Sequence, residues 1–517
     1  MLNSSVNNTA SALATDVLIL GAGFSGLGMA IKLLQAGMKS FLVLEKSDDI
    51  GGTWWANRYP GCACDIPAHL YSFSFEPNPD WSRMYAPREE IHAYLKACAQ
   101  RYGVMPHVRL NTVFREAVWN EGASLWRVTT GDGSRIDARV LISAVGALHV
   151  PNLPHIPGLD RFAGTAFHSA YWNEAIDLKG KNVAVIGTGA SAIQIVPEVA
   201  PASAKLLLFQ RTPPWILPRP DFQITQQWKT RFRKIPGLGR LFRTLLFWRQ
   251  EFRVLGFLGA HWMRKRGQQM ALDHLERQVK DPALRAVLTP NYEIGCKRVL
   301  LSNDYYPALQ RPNVELVLDS IREVREHSIV TADGKEHAVD VIVLATGFKA
   351  TEVLRDAKVI GRNGIEIQQA WKERISAYLG VTVESFPNFF MLLGPNTGLG
   401  HNSVVLMIEA QVGYIMSCLR LMRRKKTHAL EVREESRQRF AEDLRSRLVG
   451  TVWQSGGCVS WYQDQTTHEN PTIWPGSVIE YMRKTRAVSA DDYNLGPVSA
   501  QKNSVKMERE EAEEVMK

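Results

Sequence analysis

"DVLILGAGFSG", Asp16 to Gly26, decides the fold. Four apolar residues in a row, Val17 to Leu20, read as a strand buried on both faces, as strands of a parallel sheet are. Gly21, Gly23 and Gly26 follow at the spacing of a turn whose backbone can approach a pyrophosphate lying against the amino end of the next helix. One such glycine triplet is weak evidence by itself, and its context strengthens it. "LGMAIKLLQAG" continues as a helix, and "SFLVLEK" is a second strand ending at Glu45. "KNVAVIGTGASA", residues 181 to 192, repeats the plan with Gly187, Gly189 and Ala192, followed by "IQIVPEVA" and the strand "KLLLFQR".

The two units differ at one informative place. Counting the same distance on from each first glycine reaches Glu45 in one unit and Arg211 in the other. A carboxylate accepts hydrogen bonds from a ribose diol, whereas an arginine beside Thr212 attracts a 2′-phosphate. The first unit is therefore expected to take FAD, with Ser25 in its turn. The second is expected to take NADPH in preference to NADH, with Thr188, Ala190, Ser191 and Gln194 among its contacts. Similar strands, "VLISAVG" at 140–146 and "VIVLATG" at 341–347, close the two units. The predicted class is α/β, with two Rossmann-like dinucleotide-binding domains, the second inserted in the first, and a helical insertion. The expected boundaries are 1–150 for the first part of the FAD domain and 151–221 for the linker and first part of the NADP domain. A helical insertion over 222–290 precedes the second part of the NADP domain at 291–349. The second part of the FAD domain, 350–498, is followed by a charged tail, 499–517.

A chain of 517 residues exceeds what one core usually supports. Its start lacks a basic flank followed by an apolar core, and no run of about 18 uncharged apolar residues is evident, so no secretion signal or membrane span is expected. The cysteines at 62, 64, 98, 296, 418 and 458 suggest neither a disulfide framework nor zinc spacing, which points to a reducing, cytoplasmic compartment. The net charge of +10 comes without any nucleic-acid-reading module, so anionic cofactors or a membrane surface are the expected partners of the excess. Eleven basic residues face one acid, Glu251, between Lys229 and Arg266. Leu241, Leu245, Trp248, Phe252 and Leu255 form an apolar helix stripe there. The favoured reading packs this stripe on the protein itself; the alternative is weak contact with a membrane surface.

"FAGTAFHSAYWN", 162–173, fits neither a helix face nor a strand, and it resembles a family fingerprint. With Phe162, Gly164, His168 and Trp172 in place, the chain resembles the class B flavoprotein monooxygenases, specifically the Baeyer-Villiger monooxygenases. Asn173 departs from the Pro or Asp of that pattern. "GGTWWANRYPGCACD", Gly51 to Asp65, matches a second family stretch. The related flavin-containing monooxygenases that oxidise nitrogen and sulfur usually carry Tyr or Phe where Trp172 stands, which favours ketone oxidation. The resemblance spans roughly Asp16 to Thr485. It implies that His168, in the linker, couples cofactor binding to domain movement and is not an acid or base.

The resemblance also implies the chemistry: a reduced flavin traps O2 as a peroxide, which attacks a ketone and yields an ester or lactone. In "GCKRVLLSNDYYPAL", 295–309, Lys297 resembles the lysine that holds the NADPH 2′-phosphate, and Arg298 the arginine that stabilises the peroxyflavin. Asp65 resembles the aspartate that orients this arginine; alone it would read as a loop cap. Thr53, Trp54 and Tyr71 are expected along the flavin, together with the backbone near Val113. Taken singly, Trp54 and Tyr71 would also suit a core. His401 in "LLGPNTGLGHNS" and Trp474 in "NPTIWPGS" are candidate pocket residues. The substrates expected are a small hydrophobic ketone and O2. Alternatives are sulfur or nitrogen oxygenation, a disulfide reductase and a nucleotide-binding redox sensor; Cys62-Ala-Cys64 lacks the four-residue gap of a redox pair.

Overall fold

The computed structural model describes residues 13–352, 354, 357–464, 467 and 469–496. The charged tail from Ser499 lies outside the described residues. The first sheet is laid down by β1 (Leu13–Leu20), β2 (Phe41–Leu44), β3 (Val108–Arg109), β4 (Phe114–Asn120), β5 (Leu125–Thr130) and β6 (Arg135–Ser143). β1 runs parallel to both β2 and β6, and Val17 to Leu20 are buried, as a central parallel strand demands. The glycine turn follows β1 and opens into α1 (Phe24–Gln35), while α2 (Thr53–Ala56) and α3 (Arg88–Arg101) come from the long β2–β3 connection.

The chain then crosses to a second sheet. β7 (Thr165–His168), β8 (Asn182–Ile186) and β9 (Lys205–Phe209) start it, with α4 (Ala192–Val199) after the second glycine turn. The short strands β10 (Ile216–Leu217) and β11 (Leu300–Leu301) pair in parallel. Between them lie five helices: α5 (Gln226–Lys234), α6 (Leu238–Glu251), α7 (Val254–Leu258), α8 (His261–Gln278) and α9 (Pro282–Leu288). β12 (Val314–Val317) precedes a three-stranded antiparallel sheet of β13 (Ile321–Val324), β14 (Ser328–Thr331) and β15 (Glu336–Ala338). β16 (Val341–Leu344) completes an all-parallel sheet in the order β12-β9-β8-β16-β7. The chain returns to the first sheet, where β17 (Lys358–Ile360) extends the edge at β4 and β18 (Phe389–Met391) pairs with β6. The second α/β unit is thus nested in the first.

The internal echo has a steric origin. β6 borders β1 as β16 borders β8. Each first glycine backs onto the carbonyl just beyond that neighbour: a Cβ on Gly21 would lie 2.8 Å from the Ala144 oxygen, and one on Gly187 2.5 Å from that of Ala345. Both glycines have positive φ, 102° and 113°.

Three sequence expectations are corrected, and a fourth, that no membrane span is present, stands among the described residues. Residues 165–168 do form a strand, β7, the edge of the second sheet, paired in parallel with β16; the fingerprint hid it because the run is only four residues long. Leu241, Leu245, Trp248, Phe252 and Leu255 do not pack on the protein: all five are exposed, while Leu246, Gln250 and Glu251 face inward. Cys296 and Cys458 are joined in a disulfide across 162 residues, so cysteine usage does not argue for a reducing compartment. The helix Val404–Lys425 is long and apolar enough to cross a membrane by length and composition, but 67% of its apolar window is buried inside the protein, against α1 among other elements.

Candidate active site

Both glycine turns end in helices whose first turns carry no side-chain cap and no acid. This holds for α1 after Gly23 and for α4 after Ser191. Uncapped amides and the positive end of the helix dipole suit an anionic group. Gly26 is there for packing, since a Cβ would approach the Gly21 oxygen to 1.9 Å. Ser25 is buried beside it. Gly23 faces Gly52 of the 51–65 loop backbone to backbone. Gly189 is different: a Cβ would meet nothing within 4 Å, and its φ is not positive. Neither packing nor conformation requires glycine there, which leaves the approach of a ligand to the open turn. The residues present fit a dinucleotide at each turn.

Glu45, buried at the end of β2, accepts from the Ala22 amide at 2.8 Å and the Ser47 amide at 3.0 Å, tying strand to turn. The segment before Val113 lies beside it, the Thr112 amide donating to the Glu45 carbonyl. Val113 itself is exposed, and its carbonyl accepts from Gly131. In the second unit Thr188 Oγ1 donates to the Thr212 carbonyl at 2.8 Å, fixing the loop that carries the exposed Arg211. Lys297 stands close enough to Arg211 to feel its charge: burial lowers the ammonium pKa and Arg211 lowers it further. Two cations held together favour an anion between them. Ala190 and Ser191 are placed on the α4 approach, and Ala192 is buried at its first turn. Gln194 is engaged elsewhere: it accepts from the Tyr59 hydroxyl and donates to the Ala63 carbonyl, both at 3.0 Å, clasping the 51–65 loop.

That loop delivers Asp65 to Arg298. The carboxylate accepts from Nε and Nη2 at 2.7 Å each, a forked pair joining the two units. Asp65 raises the guanidinium pKa further, so Arg298 is a permanent cation in a fixed orientation. Trp54 is buried with Nε1 3.3 Å from the Tyr71 hydroxyl, their rings edge to face at 5.5 Å; Thr53 opens the short helix α2. Burial pushes the Tyr71 hydroxyl pKa up, so it is neutral.

His168 is a backbone tie. Its Nδ1 accepts from the Ala170 amide at 3.1 Å, which leaves Nε2 to donate to the Gly347 carbonyl at 2.9 Å, and burial lowers its pKa. The same carbonyl accepts from Asn152, so it joins the outgoing and returning crossings between the sheets. Phe162 packs at the second sheet's core, Trp172 packs edge to face on Phe167, and a Cβ on Gly164 would strike the Asp340 oxygen at 2.3 Å. Asn173 Oδ1 caps the Ala175 amide, a bond an aspartate could make equally.

Sequence reasoning passed over two groups. Tyr462 is fully buried beside Arg298: burial raises its hydroxyl pKa and the guanidinium opposes the rise. No motif flags it. Glu251, noticed only as a lone acid, is buried with Oε2 2.8 Å from Asn402 and 3.4 Å from His401, and its Oε1 accepts from the Ile479 amide. Burial raises its pKa, but the nearby His401 and the bond from Asn402 more than offset this and leave it lowered. His401 is thereby held in the core. Trp474 is also fully buried, bonded to the Ser477 carbonyl, so neither residue is free to meet a ligand in this conformation. Cys62 and Cys64 are unpaired, and burial pushes the Cys62 thiol up to about 12, unlike a redox pair.

Comparison with known proteins agrees with this geometry. Residues 14–366 match the family described as flavin-binding monooxygenase-like. The chain is 46% identical over 503 residues to a Baeyer-Villiger monooxygenase of Pseudomonas aeruginosa, covering 97% of this chain and 95% of that protein. It is 44% identical over 487 residues to one of Streptomyces coelicolor, covering 94% and 93%. Cyclohexanone monooxygenase from Rhodococcus sp. Phi1 bound to NADP+ superposes with a TM-score of 0.84 at 30% identity, over 94% of this chain and 100% of that one. The complex of OTEMO with FAD and NADP gives 0.84 at 29% identity over the same shares. Two nested dinucleotide units joined by a forked aspartate–arginine pair, matched over nearly the whole chain, place this protein in the flavin-binding monooxygenase-like family, among the Baeyer-Villiger monooxygenases.

Proposed function

We propose that the protein uses NADPH and O2 to insert one oxygen atom beside the carbonyl of a small hydrophobic ketone, giving an ester or lactone and water. FAD held at the first turn would supply the activated oxygen, and NADPH held at the second the reducing hydride. The observation that carries the reading is Arg298 held by Asp65 at the seam between the two units. Its fixed charge faces the seam, where it stabilises negative charge on the attacking oxygen and on the carbonyl oxygen after attack. Arg211 and Lys297 hold the 2′-phosphate of NADPH, Glu45 orders the first turn for FAD, and Trp54 and Tyr71 exclude water. The domain boundaries expected from the sequence apply to these units, and the cytoplasm, where NADPH is regenerated, is the proposed compartment. The test offers a ketone and a sulfide side by side with NADPH and identifies the products. Ester or lactone formed in step with NADPH use supports the proposal; sulfoxide without ester assigns the protein to heteroatom oxygenation, and NADPH use with neither product removes the oxygenase reading.

A further inference from the structure

Eleven of the twenty-two exposed large hydrophobic side chains among the described residues lie between Phe222 and Met270, a tenth of the chain. The stripe Leu241, Leu245, Trp248, Phe252 and Leu255 is 44% to 59% exposed. At about 100° per residue these five cover roughly 80° of one helix face. Phe252 and Arg253 keep right-handed helical dihedrals, so the stripe continues from α6 into α7. Trp228 and Trp262 are exposed nearby, at 45% and 62%. The opposite face is fully used: Leu246 is buried, Glu251 holds Asn402, and Phe257 stacks on Trp453 at 5.2 Å. The outward face is therefore not a core side that failed to find its partner.

Charge identifies what covers it. Arg240 and Arg249 are exposed on α6 itself, and Arg231, Lys234, Lys265 and Arg266 are exposed on α5 and α8, the helices that contact α6 and α7. Between Lys229 and Arg266 the one acid is Glu251, and it is buried. A second copy meeting this face by a two-fold axis would set like charges against like, which disfavours a homodimer here. Tryptophans and leucines along an apolar stripe with arginines and lysines beside it match the interface of an anionic bilayer, with aromatic rings at headgroup depth and cations toward the phosphates.

We propose that the outward face of α6 and α7 docks the protein on an anionic membrane surface, lying on the bilayer without crossing it. This rests on exposure and charge and is independent of the Baeyer-Villiger reading. The test floats the full-length, FAD-loaded protein with vesicles of phosphatidylcholine alone or mixed with phosphatidylglycerol, at low and high salt. The bound fraction is expected to be at least about tenfold greater with phosphatidylglycerol and to fall as salt rises. Leu245→Glu with Trp248→Glu should lower binding at least about tenfold. Turnover of a water-soluble ketone and the sedimentation coefficient should stay unchanged. Arg240→Glu with Arg249→Glu should weaken binding to the anionic vesicles selectively. Failure of the full chain to float with anionic vesicles overturns the proposal, as does undiminished binding by the Leu245→Glu, Trp248→Glu protein. A fall to half the mass in that protein would assign the face to a second copy. Binding that appears only after removal of residues 497–517 would assign it to the chain's own tail.

Discussion

In the proposed reaction Arg298 answers for a single event, the persistence of negative charge on oxygen long enough to attack a carbonyl. Removing one preorganised donor from a water-poor site typically lowers the rate by about 10² to 10³. Arg298→Ala should keep its FAD yet form ester at least about 10² more slowly, with residual NADPH oxidation ending as hydrogen peroxide. Product analysis with a peroxide assay checks this; near-normal ester formation in a folded variant would remove Arg298 from its role. Asp65→Ala should fall between this variant and wild type, because it releases the fork without deleting the charge. Gly189 gives a prediction free of folding effects. A Cβ there meets no atom, so Gly189→Val should retain the wild-type melting temperature and flavin content while the KM for NADPH rises at least about tenfold. Titration with NADPH, alongside thermal unfolding, separates these effects. Gly26→Val, by contrast, should fail to fold, because its Cβ has no room.

Among the elements, the two crossings between the sheets are the covalent links between the nucleotide units. Residues 150–152 and 346–349 run side by side: Lys349 donates to Val150, Thr346 to Asn152 and Asn152 to Gly347. His168, from the end of β7, adds its bond to the same Gly347 carbonyl. His168→Ala would leave the buried Ala170 amide without its partner, at about 1 to 3 kcal/mol for a buried unsatisfied group, and would take one of two donors from the Gly347 carbonyl, which keeps the Asn152 amide. A lower melting temperature with flavin retained is the expected result. Because burial lowers the His168 pKa in the folded protein, the unfolded chain binds a proton that the folded one refuses. The stability from this site is therefore full above about pH 6.5 and declines as pH falls below it. Comparing wild type with His168→Ala across that range isolates the contribution, and the gap between their melting temperatures should narrow as the pH drops.

For the whole molecule, the asymmetry between the nucleotide units is proposed to set the coenzyme. Charge-assisted contacts from Arg211 and Lys297 to a 2′-phosphate, at about 1.5 to 3 kcal/mol each, should favour NADPH over NADH by one to several powers of ten. Arg211→Ala should raise the KM for NADPH and leave NADH use almost unchanged, as steady-state rates with each coenzyme will show. Equal use of both by wild type would remove the phosphate site.

The sequence by itself determined what depends on local order. Strand, glycine turn and helix are contiguous, so the two nucleotide units, their nesting and the contrast between Glu45 and Arg211 could be read from spacing. The 51–65 loop and the Lys297–Arg298 pair could be read by resemblance. What only the tertiary structure decided concerns residues distant in the chain or faces that periodicity leaves unsigned. An apolar stripe at helical spacing looks the same whether it meets a core or solvent, so Leu241 to Leu255 turned out to face outward. The Cys296–Cys458 pairing, Tyr462 beside Arg298, and Glu251 clasping Asn402 each join segments between about 150 and 165 residues apart, a separation at which no sequence pattern records contact. Gln194 sits where the motif sets it, yet its amide is taken by the neighbouring loop, because the packing of one unit on the other, and not the spacing within either, settles which groups are left free to bind.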